Sequence, residues 1–116
     1  MRKIRFRGQT VDTKELIYGD LIHRPTLNDI CIANQNLTRS VSPDTVGQFT
    51  GLTDKNGVEI YENDILKSNS GFHCLVKFCE KSAGFIFTPT KSDWCNFSKE
   101  NIFEVVGNIF DNPELL

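Results

Sequence analysis

The side chains in this sequence that could do chemistry are two histidines, four cysteines, a short acidic run and a basic strand face. Nucleophilic catalysis needs a base within hydrogen-bond reach of a Ser or Cys, which leaves His23 and His73 as the imidazole candidates. His73 adjoins Cys74, but neighbours along a strand point to opposite sides, so the pair has poor geometry. His23, within His23-Arg24-Pro25, falls at a strand end and reads as a surface group. The cysteines (Cys31, Cys74, Cys79, Cys95) show no C-x-x-C spacing. Cys74 and Cys79 lie an odd number of residues apart in one strand, which sends their thiols to opposite faces and away from any shared metal. Reduced thiols, some buried as small hydrophobes, are the expectation, with no metal and no cofactor. Glu59, Glu62 and Asp64 are close enough in sequence for acid–base work, but an acid-rich turn is the simpler reading. No catalytic residue is assigned.

Two further patterns concern ligands. No Gly-rich run ends in Gly-Lys-Ser or Gly-Lys-Thr, so a phosphate loop of that type is absent from the sequence. Asp54-Lys55-Asn56-Gly57-Val58-Glu59 superficially resembles a calcium loop. Its glycine stands at the fourth position instead of the sixth, and no suitably spaced bidentate Glu follows. It reads as a hairpin turn, with Asp54, Asn56 and Gly57 as turn residues and Asn and Gly supplying positive φ. The remaining candidate is the row Lys3, Arg5 and Arg7. Three cations at strand spacing could track phosphates, joined by Arg2, Lys14, Arg24 or Arg39 if the fold brings them near. Nucleic acid is therefore a possible partner. A pI of about 5.6 argues against it, because domains of that kind are usually basic. Cations on an exposed strand also discourage edge pairing.

The elements that must position these groups are short strands. Ile4 and Phe6 alternate with Lys3, Arg5 and Arg7 over residues 2–7, which predicts a half-buried strand with a basic outer face. Residues 15–22 form its partner, with Gly19 marking a bulge or bend, and residues 29–33 a third strand. Residues 33–44 are polar and read as a connection ending in the Ser42-Pro43-Asp44 turn. Val46 to Lys67 carries the Asp54–Gly57 turn and a second turn at Glu62-Asn63-Asp64. Ser68 to Gly71 is another turn. Phe72, Cys74, Val76 and Phe78 then line one strand face, and residues 85–87 return. Residues 88–101 form a long loop, and residues 102–110 a last strand, apolar on both faces and so deep in its sheet. Asn112-Pro113 suits the start of one terminal helical turn. Such a series argues for a small barrel or sandwich over βαβ units.

Composition sets the remaining bounds. The 116 residues make one domain, or two small lobes at 1–46 and 47–116, the first a β-meander. No apolar run approaches the roughly 20 residues of a membrane helix, and no apolar segment follows the charged N-terminus. A cytoplasmic protein without a membrane partner is expected. The net charge of −2 hides an asymmetry. Residues 1–46 hold seven basic and five acidic groups, residues 47–116 six and ten, and all five arginines lie within the first 39 residues. Open strand edges also make a homo-oligomer an expected possibility.

Gly47-Gln48-Phe49-Thr50-Gly51-Leu52-Thr53-Asp54-Lys55-Asn56-Gly57, followed by Glu59-Ile60-Tyr61-Glu62-Asn63-Asp64-Ile65, resembles the signature of the YopX family. The ending from Glu104 to Leu116, Arg5-Phe6-Arg7 and Tyr18-Gly19-Asp20 also fit. The resemblance implies phage or prophage origin, a mainly β fold with an SH3-like barrel (the 47–116 lobe) against the N-terminal meander, and no assigned activity. Asn63 stands where relatives have Gly, and Asn is the next-best residue for positive φ. Gly8-Gln9-Thr10 replaces a common aromatic. These motifs bend backbone and fill an interior, which suits a scaffold whose function lies on its surface. The first expectation is a non-enzymatic phage accessory module binding an unknown host or phage macromolecule. The alternatives are nucleic-acid binding through Lys3, Arg5 and Arg7, or a small hydrolase or metal-dependent enzyme.

Overall fold

A computed structural model describes residues 3–69, 71–89 and 103–116. The described chain is mainly β and divides into two compact units, Met1–Phe49 and Thr50–Leu116. The division between Phe49 and Thr50 lies three residues past the start of the strand Gly47–Thr53.

The first unit is a meander of β1 (Phe6–Gln9), β2 (Leu16–Arg24), β3 (Asp29–Ala33) and β4 (Thr38–Val41). Successive strands pair antiparallel, and the first residues of β5 (Gly47–Thr53) pair with the other edge of β1. Residues just past β1 reach β4: Thr10 bridges Val41, Val11 N donates to Ser40 O at 3.1 Å, and Ser42 N donates to Gln9 O at 2.9 Å. A short 3-10 helix, η1 (Pro43–Thr45), is tied to β1 by Thr45, whose hydroxyl accepts from Gln9 N at 2.9 Å. Cys31, Ile32 and Val41 are almost wholly buried. Gly8 permits this packing, since a Cβ there would lie 3.1 Å from the Val41 side chain.

Three expectations for this unit need correction. The stretch 33–44 is not all connection, because Thr38–Val41 pairs with β3 through its backbone. Asn34 makes the turn between them: its side-chain oxygen accepts from Asn36 N at 2.8 Å and Leu37 N at 3.1 Å. Gly19 sits in continuous register opposite Phe6, so no bulge is needed. Its lack of a side chain serves close approach, since a Cβ would fall 2.2 Å from the Ala33 carbonyl oxygen. The alternation at the N-terminus also fails at Ile4 and Arg7. β1 begins only at Phe6, Ile4 is 59% exposed and Arg7 is buried.

The second unit continues β5 into β6 (Glu59–Tyr61), β7 (Asp64–Ser68), β8 (His73–Cys79), β9 (Gly84–Pro89), β10 (Phe103–Asn108) and a 3-10 turn, η2 (Pro113–Leu115). β6 is hydrogen-bonded to β5, and a four-stranded antiparallel sheet runs β10-β7-β8-β9. Its core gathers Ile60, Leu66, Cys74, Val76, Phe87 and Phe103, with the Phe87 and Phe103 rings edge-to-face at 5.4 Å. β10 lies at an edge of this order and not deep within it. Its apolar residues on both faces reflect a register shift between Val105 and Gly107, where a bulge inserts Val106. Asn112 is the N-cap residue of η2 with Pro113 following it, as expected, but its side chain makes no cap bond: its oxygen accepts from Asn108 N at 3.3 Å.

The 54–57 turn closes with Gly57 N donating to Asp54 O at 3.0 Å, and Gly57 carries the left-handed backbone at φ 83°. Asn56 does not share that conformation, so this is a three-residue hairpin loop with a glycine bulge and not a two-residue Asn-Gly turn. The Asp54 carboxylate, 5% exposed, accepts from Asn56 N, Val58 N and, on β10, Val105 N at 2.8–2.9 Å. Asn63 takes φ 76° between β6 and β7, its N–H donating to Val76 O and its carbonyl accepting from Ile109 N. Asp54→Ala leaves three donors without their acceptor, and it is expected to lower the unfolding free energy by about 2–3 kcal/mol, measured by urea denaturation.

Candidate functional site

Two ion pairs of the first unit, Arg24–Asp29 and Arg39–Asp12, meet a cleft that Asp12, Arg24 and Arg39 line. β2 and β3 are joined by Pro25-Thr26-Leu27-Asn28, with Asn28 in the left-handed region at φ 52°. Leu27 N and Asn28 N donate back to Arg24 O and Pro25 O, which folds the loop tightly. Arg24 and Asp29 are consequently direct cross-strand partners at the mouth of the hairpin. Partners so placed bring their side chains together on one face.

The contact is a two-point fork. Arg24 Nε donates to Asp29 Oδ1 at 2.9 Å and Nη2 to Oδ2 at 2.6 Å. Ser40 of β4 donates its hydroxyl to Asp29 Oδ2 at 2.8 Å, and Arg24 Nη2 reaches Ser40 Oγ at 3.4 Å. Cys31, the partner of Ser40 across the strands, is fully buried beside this group, its Sγ 3.9 Å from Ser40 Oγ and 4.0 Å from Asp29 Oδ2. The hydrogen bonds from Arg24 and Ser40 hold the Asp29 carboxyl down at about 2, against partial desolvation. The Asp29 hydrogen bond in turn raises the Arg24 guanidinium further above its already high value.

Arg39, the next residue before Ser40, makes the second pair. Its Nη2 donates to Asp12 Oδ1 at 2.8 Å and Oδ2 at 2.6 Å. Asp12 sits in the turn after β1, where Thr13 N also donates to it at 2.8 Å. Desolvation works against ionisation there, but the Thr13 N–H and the Arg39 charge prevail and lower the Asp12 carboxyl. Asp12 is the most open of the four, with 65% of its side chain exposed against 29% for Asp29. Val11, Asp12, Arg24, Thr38, Arg39 and Ser40 line a cleft of about 300 Å³. Its lining holds two arginines, the acidic Asp12 and the hydroxyl residues Thr38 and Ser40, the Ser40 proton being donated to Asp29; arginines are the side chains suited to gripping an anion.

The residues singled out from sequence lie elsewhere. Lys3 is exposed ahead of β1, Arg5 is half-buried and Arg7 is buried, so they do not project together from one outer face. Asp54, Asn56, Gly57 and Asn63 belong to the turns described above. Asp64 is 2% exposed and accepts from Tyr61 N at 2.8 Å, a turn contact. Cys95 lies outside the described residues. Sequence reasoning counted Arg24 and Arg39 only as additions to the N-terminal row. Arg24 could have been paired with Asp29 by treating 25–28 as a hairpin loop, whereas Arg39 lay in a stretch with no apolar pattern.

A family model described as YopX protein matches residues 5–116, nearly the whole chain. The chain belongs to the YopX family. No curated protein matches it. It is similar to the crystal structure of protein EF1440 from Enterococcus faecalis, at 23% identity over 100% of this chain and 99% of that one, with a TM-score of 0.65. That likeness concerns the fold. Among the described residues of this YopX chain, no helix is long and apolar enough to cross a membrane.

Asp29 supplies a pH signature. With its folded pKa near 2 against an ordinary 3.8, its contribution to stability is complete above the ordinary value and is lost as pH falls through the folded one. The stability gap between wild type and Asp29→Asn is therefore expected to be widest near neutrality and to close between about pH 4 and pH 2, followed by urea titrations across that range.

Proposed function

We propose that this YopX chain is a non-enzymatic phage or prophage accessory protein, a cytoplasmic binding module that holds an anionic group of a host or phage macromolecule in the Arg24–Arg39 cleft. The observation that carries this reading is the pair of guanidinium groups on one cleft, each already fixed in direction by a carboxylate. Such fixing removes much of the entropy that an arginine loses on gripping a ligand. An SH3-like barrel over residues 47–116 is part of the same proposal. Its support is the antiparallel order β10-β7-β8-β9 around the core of Ile60, Leu66, Cys74, Val76, Phe87 and Phe103.

Nucleic-acid binding through Lys3, Arg5 and Arg7 is the second reading. It draws on the exposed position of Lys3 and the half-buried Arg5, and is placed second because Arg7 is inside.

Affinity capture from host cells carrying the phage separates the two. A partner retained by the wild type and lost by the Arg24→Gln/Arg39→Gln double variant is the expected result. Undiminished capture by that variant would refute the cleft as the binding site. Salt-sensitive retention on DNA or RNA that disappears with Lys3→Glu/Arg5→Glu would move the assignment to the second reading.

A further inference from the structure

The two ion pairs in the cleft look alike on paper and are built differently. Arg24–Asp29 joins directly opposed residues of a hairpin, uses both nitrogens of the fork and is reinforced by the Ser40 hydroxyl over buried Cys31. Removing that carboxylate would disturb a packed structure. Arg39–Asp12 joins a strand to an exposed turn through a single nitrogen, Nη2. Exposed pairs of this kind contribute little stability, so Asp12 can leave Arg39 at small cost. Among the described residues, no acceptor meets Arg39 Nε or Nη1, or Arg24 Nη1.

We propose that Asp12 is a built-in stand-in for the ligand, and that the group it stands in for is a phosphate monoester, which displaces Asp12 from Arg39 and bridges to Arg24. This rests on the cleft being the binding site. The argument is one of competition. A carboxylate from outside offers Arg39 two oxygens, as Asp12 does, and Asp12 has the added advantage of being tethered at high effective concentration. A phosphodiester likewise has two non-bridging oxygens. A monoester has three and carries more charge. It can engage Arg39 Nε and Nη1, Arg24 Nη1 and the Thr38 hydroxyl, all on residues that line the same space, whereas the Ser40 proton stays with Asp29. Once Asp12 withdraws, Arg24, Asp29 and Arg39 together carry one net positive charge, which attracts an anion, and the third oxygen is what selects the monoester. The cleft holds about 300 Å³, at the small end of ligand pockets, enough for one phosphorylated side chain or one terminal nucleotide.

The test follows the arginine Nε–H signals of the labelled full chain by NMR, titrating inorganic phosphate, phosphoserine, a 5′-mononucleotide, dimethyl phosphate and acetate at matched ionic strength. The Arg24 and Arg39 signals are expected to shift with inorganic phosphate and at least one monoester, and not with dimethyl phosphate or acetate. The monoester that shifts them names the source. Asp12→Asn is expected to bind phosphate about two- to fivefold tighter, the factor set by losing a weak exposed pair, and Arg39→Gln to lose the response. Backbone amide spectra confirm that each variant is folded, and Arg39→Lys, which keeps the charge without the fork, is expected to bind more weakly than wild type. Equal responses to acetate and phosphate, or unchanged or weaker phosphate binding by Asp12→Asn, would overturn the proposal. A chain that ignores phosphate yet captures a partner through Arg24 and Arg39 would lose this ligand and keep the proposed function. Loss of both would remove the cleft as a site.

Discussion

The carboxylate of Asp54 stands where three stretches of the second unit need a common acceptor. Its oxygens take the N–H groups of Asn56 and Val58 within the hairpin loop and of Val105 on β10. Asn56 and Val58 are exposed and Val105 is half-buried, so the loss of the common acceptor is costliest at Val105. Lys55 N adds a bond to Phe103 O, so the loop meets β10 at two successive points. Phe103 is 1% exposed and stacks edge-to-face on Phe87. The turn, the edge strand and the core are thus fixed by one residue. Desolvation opposes charge at this position, and the three N–H groups outweigh it, holding the carboxyl below its ordinary value. The same accounting explains why Asp, and not Asn, is required: Asn has one acceptor oxygen and would turn an NH₂ toward an N–H.

Asn63 solves the equivalent problem between β6 and β7. Its backbone takes φ 76°, which Asn tolerates better than other residues with a side chain. In that conformation its N–H reaches Val76 O on β8 and its carbonyl receives Ile109 N beyond β10. The adjoining Asp64 carboxylate accepts from Tyr61 N within the turn. The stretch from Asp54 to Asp64 is therefore a set of backbone fasteners, and its chemistry is spent on holding strands together.

Much of this was legible in the sequence, and the failures have physical causes. The strands at 16–24, 29–33, 73–79 and 84–89 follow from apolar spacing and flanking turn residues, and Gly57 announces its loop. β4 was hidden because Thr38-Arg39-Ser40-Val41 is mostly polar; its pairing comes from backbone bonds and from Asn34 shaping the preceding turn. The face of β1 was misread because an alternation counted from residue 2 says nothing of where the strand begins. With the strand starting at Phe6, Arg7 is opposite Tyr18 on one side and Gly47 on the other, and goes inside. In β10 a bulge imitated a two-faced apolar strand. The cleft was out of reach for the same reason as β4. Arg39 and Asp12 are 27 residues apart and meet only because the chain after β1 comes back to β4.

Three aspartates show how one side chain serves different ends. Asp54, 5% exposed, accepts only from backbone and is a structural member. Asp29 is partly exposed and accepts from Arg24 and Ser40, so it both closes a hairpin and aims a guanidinium. Asp12 is mostly exposed, sits on a turn and holds Arg39 by one nitrogen. The more of a carboxylate that water already solvates, the less the protein loses when that carboxylate moves aside. Exchange with an external anion is consequently possible at Asp12, strongly resisted at Asp29 and excluded at Asp54 without unfolding its surroundings. The proposed binding therefore falls where the ion pairs are weakest, on the first unit's cleft and away from the turns at Asp54–Gly57 and Asn63.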